Sequence, residues 1–175
     1  PEHVTDAELA CLFEAARWAP SAWNAQPTRY LYARRGTPNG NLFLHLIGKG
    51  NQWWAQHAPV LAVLLKKKRQ NYSGKQMDLT EFETGCSWMS LALQATMLGL
   101  STHIAGEFDT EAARTLLQVP DTFDIVLMFG LGRQTIAGAS PDLVARDRNR
   151  PVTRLAAHAI AHEGTACDFE EENLP

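Results

Sequence analysis

TGCSWMSLALQATMLGL, residues 84–100, is the stretch on which the fold turns. Ala, Leu and Met dominate it, and apolar residues return on nearly every face of a 3.6-residue period, the pattern of a helix at the centre of a domain. A membrane span is the rival reading. Ser87, Ser90, Gln94 and Thr96 interrupt a run already short for a bilayer, and that reading is set aside. On either side lie a continuous apolar run, residues 59–65, and a second largely apolar stretch, FDIVLMF at residues 123–129, ending in GLG. Each has the character of a strand buried on both faces.

Working outward, Thr5 and Glu8 form a capping box, and behind it Leu9, Leu12, Phe13 and Ala16 fall at i, i+3, i+4 and i+7. Pro20 ends this first helix near Ala19. SAWNAQP then reads as a loop and RYLYARR as a strand. TPNGN is turn chemistry. Leu42, Phe43, Leu46 and Ile47 mark a second helix, broken at Gly48 and Gly50. Asp109 or Thr110 caps another, with Leu116, Leu117 and Val119 ahead of Pro120. The segment KKKRQNYSGKQ is polar, basic and expected to be mobile. Helices interleaved with a few strands give α+β or α/β in one domain, residues 1–175.

The chain has 175 residues, 45% hydrophobic and 20% charged, which suits one globular domain. A net charge of −3 gives no overall pull toward nucleic acid or anionic membrane, and neither is expected as a partner. Cys11, Cys86 and Cys167 are odd in number, far apart and without a CxxC. A disulfide framework is not expected, and a reducing, cytoplasmic setting is. The opening PEHVTDAE shows no signal-peptide pattern.

The familiar catalytic motifs are missing from these 175 residues. No GxGxxG follows a strand, GKGNQW lacks the spacing, and no GxxxxGK[ST] is present. Ser21 does not sit in a GxSxG elbow. His158 and His162 are four apart, but no glutamate of an HExxH motif lies between them, so a surface helix is preferred to a metal site. The Lys66–Arg69 block reads as a solvated strand end.

Two segments stand out together: AARWAPSAWNAQPTRY, residues 15–30, and FETGCSWMSLALQATMLGLSTHIAGEFD, residues 82–109. Their order and wording resemble the nitroreductase family of FMN flavoproteins, with APS-x-x-N-x-QP after the first helix and a central helix ending in GL. Asn51, Trp54 and Ala58–Pro59 are similar to that family's N-x-x-W-x-x-x-AP stretch. The resemblance runs from about Thr5 to Arg154.

The resemblance implies an α+β, three-layer α/β/α sandwich with a mostly antiparallel central sheet, in an intertwined homodimer with FMN at the interface. Pro20, Ser21, Ala22, Asn24 and Gln26 then correspond to a loop that reaches the flavin, typically that of the partner subunit. Asn51 corresponds to a position near the flavin's pyrimidine edge, and Ile104, Ala105 and Gly106 to a segment laying backbone amides beside N5 and O4. Arg154, with Arg150 or Arg148, would hold the phosphate. In many relatives glycine is followed directly by phenylalanine where this chain has Glu107. The family's Arg-rich RRSxR segment ahead of the first helix is not seen before Thr5, so weaker FMN binding by the chain as written is expected.

The residue chemistry agrees with these roles. A flavin carries the hard step itself, so no catalytic acid–base residue is assigned. Side-chain amides both donate and accept, matching the mixed edge of the pyrimidine ring. A glycine lets backbone approach a flat ring, and guanidinium forks suit a phosphate. Each has a plainer alternative: Ser21 and Asn24 as cap and turn, Gly106 as a turn glycine, the arginines as a solvated face, the tryptophans as core. The expected function is an FMN-dependent oxidoreductase that moves hydride from NAD(P)H through flavin N5 to a small electron-poor acceptor, a nitroaromatic or quinone, with ping-pong kinetics. The rivals are a flavin-sequestering protein of the same fold without turnover, and a related fold that has lost FMN.

Overall fold

The Thr5 capping box forms as its spacing predicts. In this computed structural model, which describes residues 3–68, 71–72, 75–76, 79–134, 153–161 and 163–164, the Glu8 N–H donates to the Thr5 hydroxyl at 3.2 Å. The Thr5 N–H in turn donates to the Glu8 carboxylate at 2.8 Å. That cap starts α1 (Asp6–Arg17), and a one-turn 3-10 segment, Ala22–Asn24, follows it. Next come β1 (Thr28–Arg34), α2 (Pro38–Leu46), α3 (Lys49–Ala55) and β2 (Val60–Lys67). A two-stranded ribbon, β3 (Asn71–Tyr72) and β4 (Lys75–Gln76), precedes the long helix α4 (Thr80–Met97). The order closes with β5 (Ser101–Ala105), α5 (Thr110–Leu116) and β6 (Phe123–Gly132).

β1, β2, β6 and β5 make one sheet in that order, every pair antiparallel. Its centre strand β2 explains the layering. Successive side chains of a strand point to opposite faces. Leu61, Val63 and Leu65 therefore meet Phe43 and Leu46 of α2, Ala55 of α3 and Ala113 of α5. Val60 and Ala62 meet Leu9, Leu12 and Ala16 of α1 and Leu91 and Ala95 of α4 on the other side. Helices cover both faces, and the fold is an α+β sandwich of three layers with a fully antiparallel sheet.

Two local expectations are corrected, one strand was not anticipated, and the basic block divides. TPNGN is the start of α2: Thr37 caps it through the Gly40 N–H at 3.0 Å, and Pro38 occupies the first turn, where its missing N–H costs nothing. The break between α2 and α3 falls at Gly48 alone, because Gly50 lies inside α3. β5 is a strand that composition hid, since only Ala105 of its five residues is buried. In the basic block, Lys67 and Lys68 are exposed at the end of β2 as expected, while Lys66 is largely covered. Its ammonium sits 2.7 Å from Glu81 and 3.8 Å from Asp124, with the side chain 14% exposed.

α4 differs from an all-round buried helix. Glu83, Thr84, Ser87, Leu91 and Ala95 face inward. Phe82, Met89, Leu93 and Met97 come out on the opposite side at helical spacing, and Met97 is 80% exposed.

The chain divides into two units, residues 1–134 and 135–175. In the second, Ala157–Ile160 is a single helical turn and the exposed Arg154 donates to the Thr153 carbonyl at 3.1 Å. Arg148 and Arg150 lie outside the described residues, as do Cys167 and His162.

Candidate functional site

The expected site residues of the first unit fall into two groups. Pro20, Ser21, Ala22, Asn24 and Gln26 lie between α1 and β1, on the α4 side of the sheet. This loop is held in an uncommon shape: Trp23, Asn24 and Gln26 have φ of 56°, 57° and 48°. A left-handed conformation at three non-glycine residues is strained, and surrounding contacts must hold it. Ser21 supplies one such contact, its hydroxyl accepting the Gln26 N–H at 3.0 Å. Glu83 supplies another, its buried carboxylate accepting the Ala22 N–H at 2.6 Å. The Gln26 carboxamide donates to Asn24 Oδ1 at 3.0 Å, so the two amides brace each other.

Beneath the loop is a cleft of about 110 Å³ lined by Arg17, Pro20, Ser21, Gln26, Tyr30 and Glu83, among others. A hydrogen-bond chain closes its floor. Ser87 donates to the Ala16 carbonyl at 3.0 Å, so the Tyr30 hydroxyl, 3.0 Å from Ser87 Oγ, is the donor to Ser87. Burial pushes the Tyr30 phenol up to about 12, against a smaller opposing effect of the Ser87 hydrogen bond.

The second group is Asn51 with Ile104, Ala105 and Gly106. The turn between α2 and α3 docks onto the segment after β5: Gly48 N–H donates to the Glu107 carbonyl at 3.0 Å, and Asp109 N–H to the Leu46 carbonyl at 2.9 Å. Ile47 and Phe108 pair as an isolated bridge. The Glu107 side chain packs against Gly48, which has no Cβ to obstruct it. Glu107 thus fastens Asn51 beside β5.

Along β5 the side chains alternate. Ile104 is exposed and Ala105 is buried in the core. Gly106 is exposed, with nothing within 4 Å of where a Cβ would stand. β5 is an edge strand, so alternate backbone N–H and C=O groups face away from β6. Trp54 lies between Asn51 and β5. Its indole N–H donates to Asn51 Oδ1 at 3.1 Å, and its ring meets His103 edge-on with centroids 4.7 Å apart.

The two groups are not brought together within one chain. The first leads into β1 and the second surrounds β5, the opposite edge of the sheet. Three strand spacings, about 14 Å, separate those edges. Arg154 belongs to the second unit. Sequence reasoning missed Glu83, and it placed Trp54 in the N-x-x-W stretch without its hydrogen bond to Asn51. An acidic residue in the first turn of an otherwise apolar helix was the available signal for Glu83. For Trp54 it was the i, i+3 spacing from Asn51, which puts an amide and an indole on one helix face. Among the described residues no group of three or more metal-ligand side chains forms, and no helix is long and apolar enough to cross a membrane.

Comparison with known proteins matches this architecture. The model of the nitroreductase family matches residues 1–37 and 32–133. A crystal structure described as an oxidoreductase containing FMN is 31% identical, covers 94% of this chain and 84% of its own, and superposes with a TM-score of 0.85. A nitroreductase family protein of Streptococcus pneumoniae, at 19% identity over 93% and 92% of the two chains, shares the fold with a TM-score of 0.71. A Streptomyces coelicolor protein, provisionally named an NADH dehydrogenase/NAD(P)H nitroreductase, is 48% identical over 61 residues, 35% of this chain and 30% of its own length. The chain thus matches under a third of that curated relative. With the family model matching well over half of its residues, the chain belongs to the nitroreductase family.

Proposed function

We propose that the chain is an FMN-dependent oxidoreductase that works as a homodimer, takes hydride from NAD(P)H and delivers electrons to a small electron-poor acceptor such as a nitroaromatic or quinone. The observation that carries this reading is the cluster at β5. A carboxamide donor on Asn51, an open glycine at 106 and an unpaired strand edge lie side by side, a donor set suited to a flat ring with polar edges. Similarity to an FMN-containing oxidoreductase over nearly the whole chain supports the choice of cofactor.

FMN, when bound, supplies an electron sink that accepts hydride and later releases electrons. The protein's part is placement. Those backbone amides of Ile104, Ala105 and Gly106 that face away from β6 would orient one side of the ring system, and Asn51 would fix its pyrimidine edge. One stacking site serves reductant and acceptor in turn, which gives ping-pong kinetics. Arg154, Arg150 and Arg148 are proposed to hold the phosphate, because a half-buried anion needs cationic partners.

The dimer follows from the remaining geometry. Pro20, Ser21, Ala22, Asn24 and Gln26 sit at the wrong edge to serve the β5 cluster of their own chain, so they are proposed to complete the site of a second copy. The outward row of α4, with Phe82, Met89, Leu93 and Met97, is an apolar surface of the kind that a second copy covers. Cys11 and Cys86 are free thiols, in keeping with a reducing, cytoplasmic setting.

The test is cofactor content. Purified protein supplied with FMN and then denatured should release FMN, one molecule per chain, identified by chromatography. A colourless protein that takes up no FMN would contradict the reading.

A further inference from the structure

Asn51 is held in one orientation by a neighbour that can only donate. The indole Nε1 of Trp54 carries a hydrogen and no lone pair, so the Asn51 atom 3.1 Å away must be the carboxamide oxygen. The side-chain amide nitrogen of Asn51 has no hydrogen-bond partner among the described residues. The indole is itself fixed. A Cβ on Gly130 would stand 2.6 Å from Trp54 Cζ3, so the ring lies directly on the β6 backbone and needs glycine there. His103 meets its edge. A free asparagine presents either end of its amide with equal ease; this one has its oxygen turned to the indole and its N–H end unengaged among the described residues.

We propose that Trp54 is a positioning residue: by donating to the Asn51 oxygen it fixes the amide so that the Nδ2 hydrogens are presented to a ligand, and so makes Asn51 an oriented donor to an acceptor atom on the flavin's pyrimidine edge. The inference rests on the FMN reading of the β5 cluster. It narrows Asn51 from a group free to turn either end of its amide to a ligand to one oriented to donate. The pyrimidine edge carries acceptors at N1 and its carbonyl oxygens and a donor at N3, and a fixed N–H selects the acceptors. It also carries an electrostatic consequence. A preorganised donor stabilises negative charge gained on that edge, so its loss lowers the midpoint potential of the bound flavin.

Four variants test this: Trp54→Phe, which keeps a ring over Gly130 but removes the N–H; Asn51→Ala; Asn51→Asp, which still accepts from Trp54 but has no donor; and the double variant Trp54→Phe/Asn51→Ala. In flavin-free protein, the Trp54 indole N–H resonance, assigned by its loss in Trp54→Phe, should shift in Asn51→Ala. That readout needs neither cofactor nor turnover. An unshifted resonance means the hydrogen bond is absent, and the proposal falls whatever the flavin does. In FMN-loaded protein, Trp54→Phe should weaken FMN binding about two- to tenfold, the range for losing one neutral hydrogen bond, and lower the midpoint potential. Asn51→Asp should lower both further than Asn51→Ala. Adding Trp54→Phe to Asn51→Ala should change neither quantity again, because Trp54 acts through Asn51.

Additive effects in the double variant overturn the proposal. So does a wild-type potential in Asn51→Ala with FMN bound, which leaves the FMN reading standing. A wild-type protein that takes up no FMN ends both.

Discussion

The Glu83 carboxylate accepts the Ala22 N–H at 2.6 Å across 61 residues of chain, tying the inner face of α4 to the loop before β1. Glu83 is 5% exposed, so this is a hydrogen bond to a buried charged group, the stronger kind. Glu83→Ala should destabilise the protein by about 2 kcal/mol and leave the Ala22 N–H without its partner, whereas Glu83→Gln keeps an acceptor and should lose much less. Urea denaturation of both variants checks this, and equal losses would show that the loop does not depend on the acceptor. FMN binding should fall in the same order.

The outward face of α4 predicts an oligomeric change without a folding change. Leu93 is exposed in the single chain, so Leu93→Glu removes no core packing. Sedimentation should show this variant as a folded monomer at concentrations where the parent is a dimer, and FMN should be lost with the dimer. A Leu93→Glu dimer with wild-type FMN content would move the interface elsewhere.

Gly130 predicts a clash of defined origin. A Cβ there meets Trp54 Cζ3 at 2.6 Å and the Ala58 Cβ at 3.2 Å. Gly130→Ala must therefore lift the indole or bend β6, at a cost of roughly 1–3 kcal/mol for overpacking. A thermal melt reads the loss of stability, and an FMN titration reads the displacement of Trp54 from Asn51.

Tyr30 predicts behaviour in alkali. Its phenol is pushed from 10.0 up to about 12, chiefly by burial. A group whose folded value is raised contributes stability that is fully present below the unfolded value and is lost as pH rises through the folded one. Stability should therefore be insensitive to Tyr30 up to about pH 10 and decline between about 10 and 12. Absorbance titration of phenolate should show a late-ionising component that disappears in Tyr30→Phe. An unchanged titration curve in that variant would contradict the assignment.

What the sequence reveals here is what short-range physics controls. The capping box of Thr5 and Glu8 and the strands β2 and β6 need only neighbours a few residues away, and all three form; β2 is buried on both faces as expected, whereas the first half of β6 is not, with Val126 exposed. β5 was hidden because an edge strand with one buried residue has no apolar signature. α3 was hidden because KGNQWWA has two tryptophans and a glycine and is stabilised by docking on Glu107 and β6 more than by its own propensity. TPNGN misled because the same residues start turns and helices, and Thr37 decided the outcome through the Gly40 N–H. For the site, the residue types were legible in order along the chain, but their grouping was not. Strand order alone puts the loop of residues 20–26 and the β5 cluster at opposite edges, and no local pattern records strand order.

The central claim is that the folded chain cycles a bound FMN between a reductant and an acceptor. Its most direct test is an anaerobic titration of the FMN-loaded protein with NADH and, separately, NADPH, followed in the visible flavin band. At least one nicotinamide should bleach the band stoichiometrically, and a quinone or nitroaromatic should then restore it without added oxygen. A flavin that stays bound and yellow under both nicotinamides would contradict the account and leave a protein that holds FMN without turning it over.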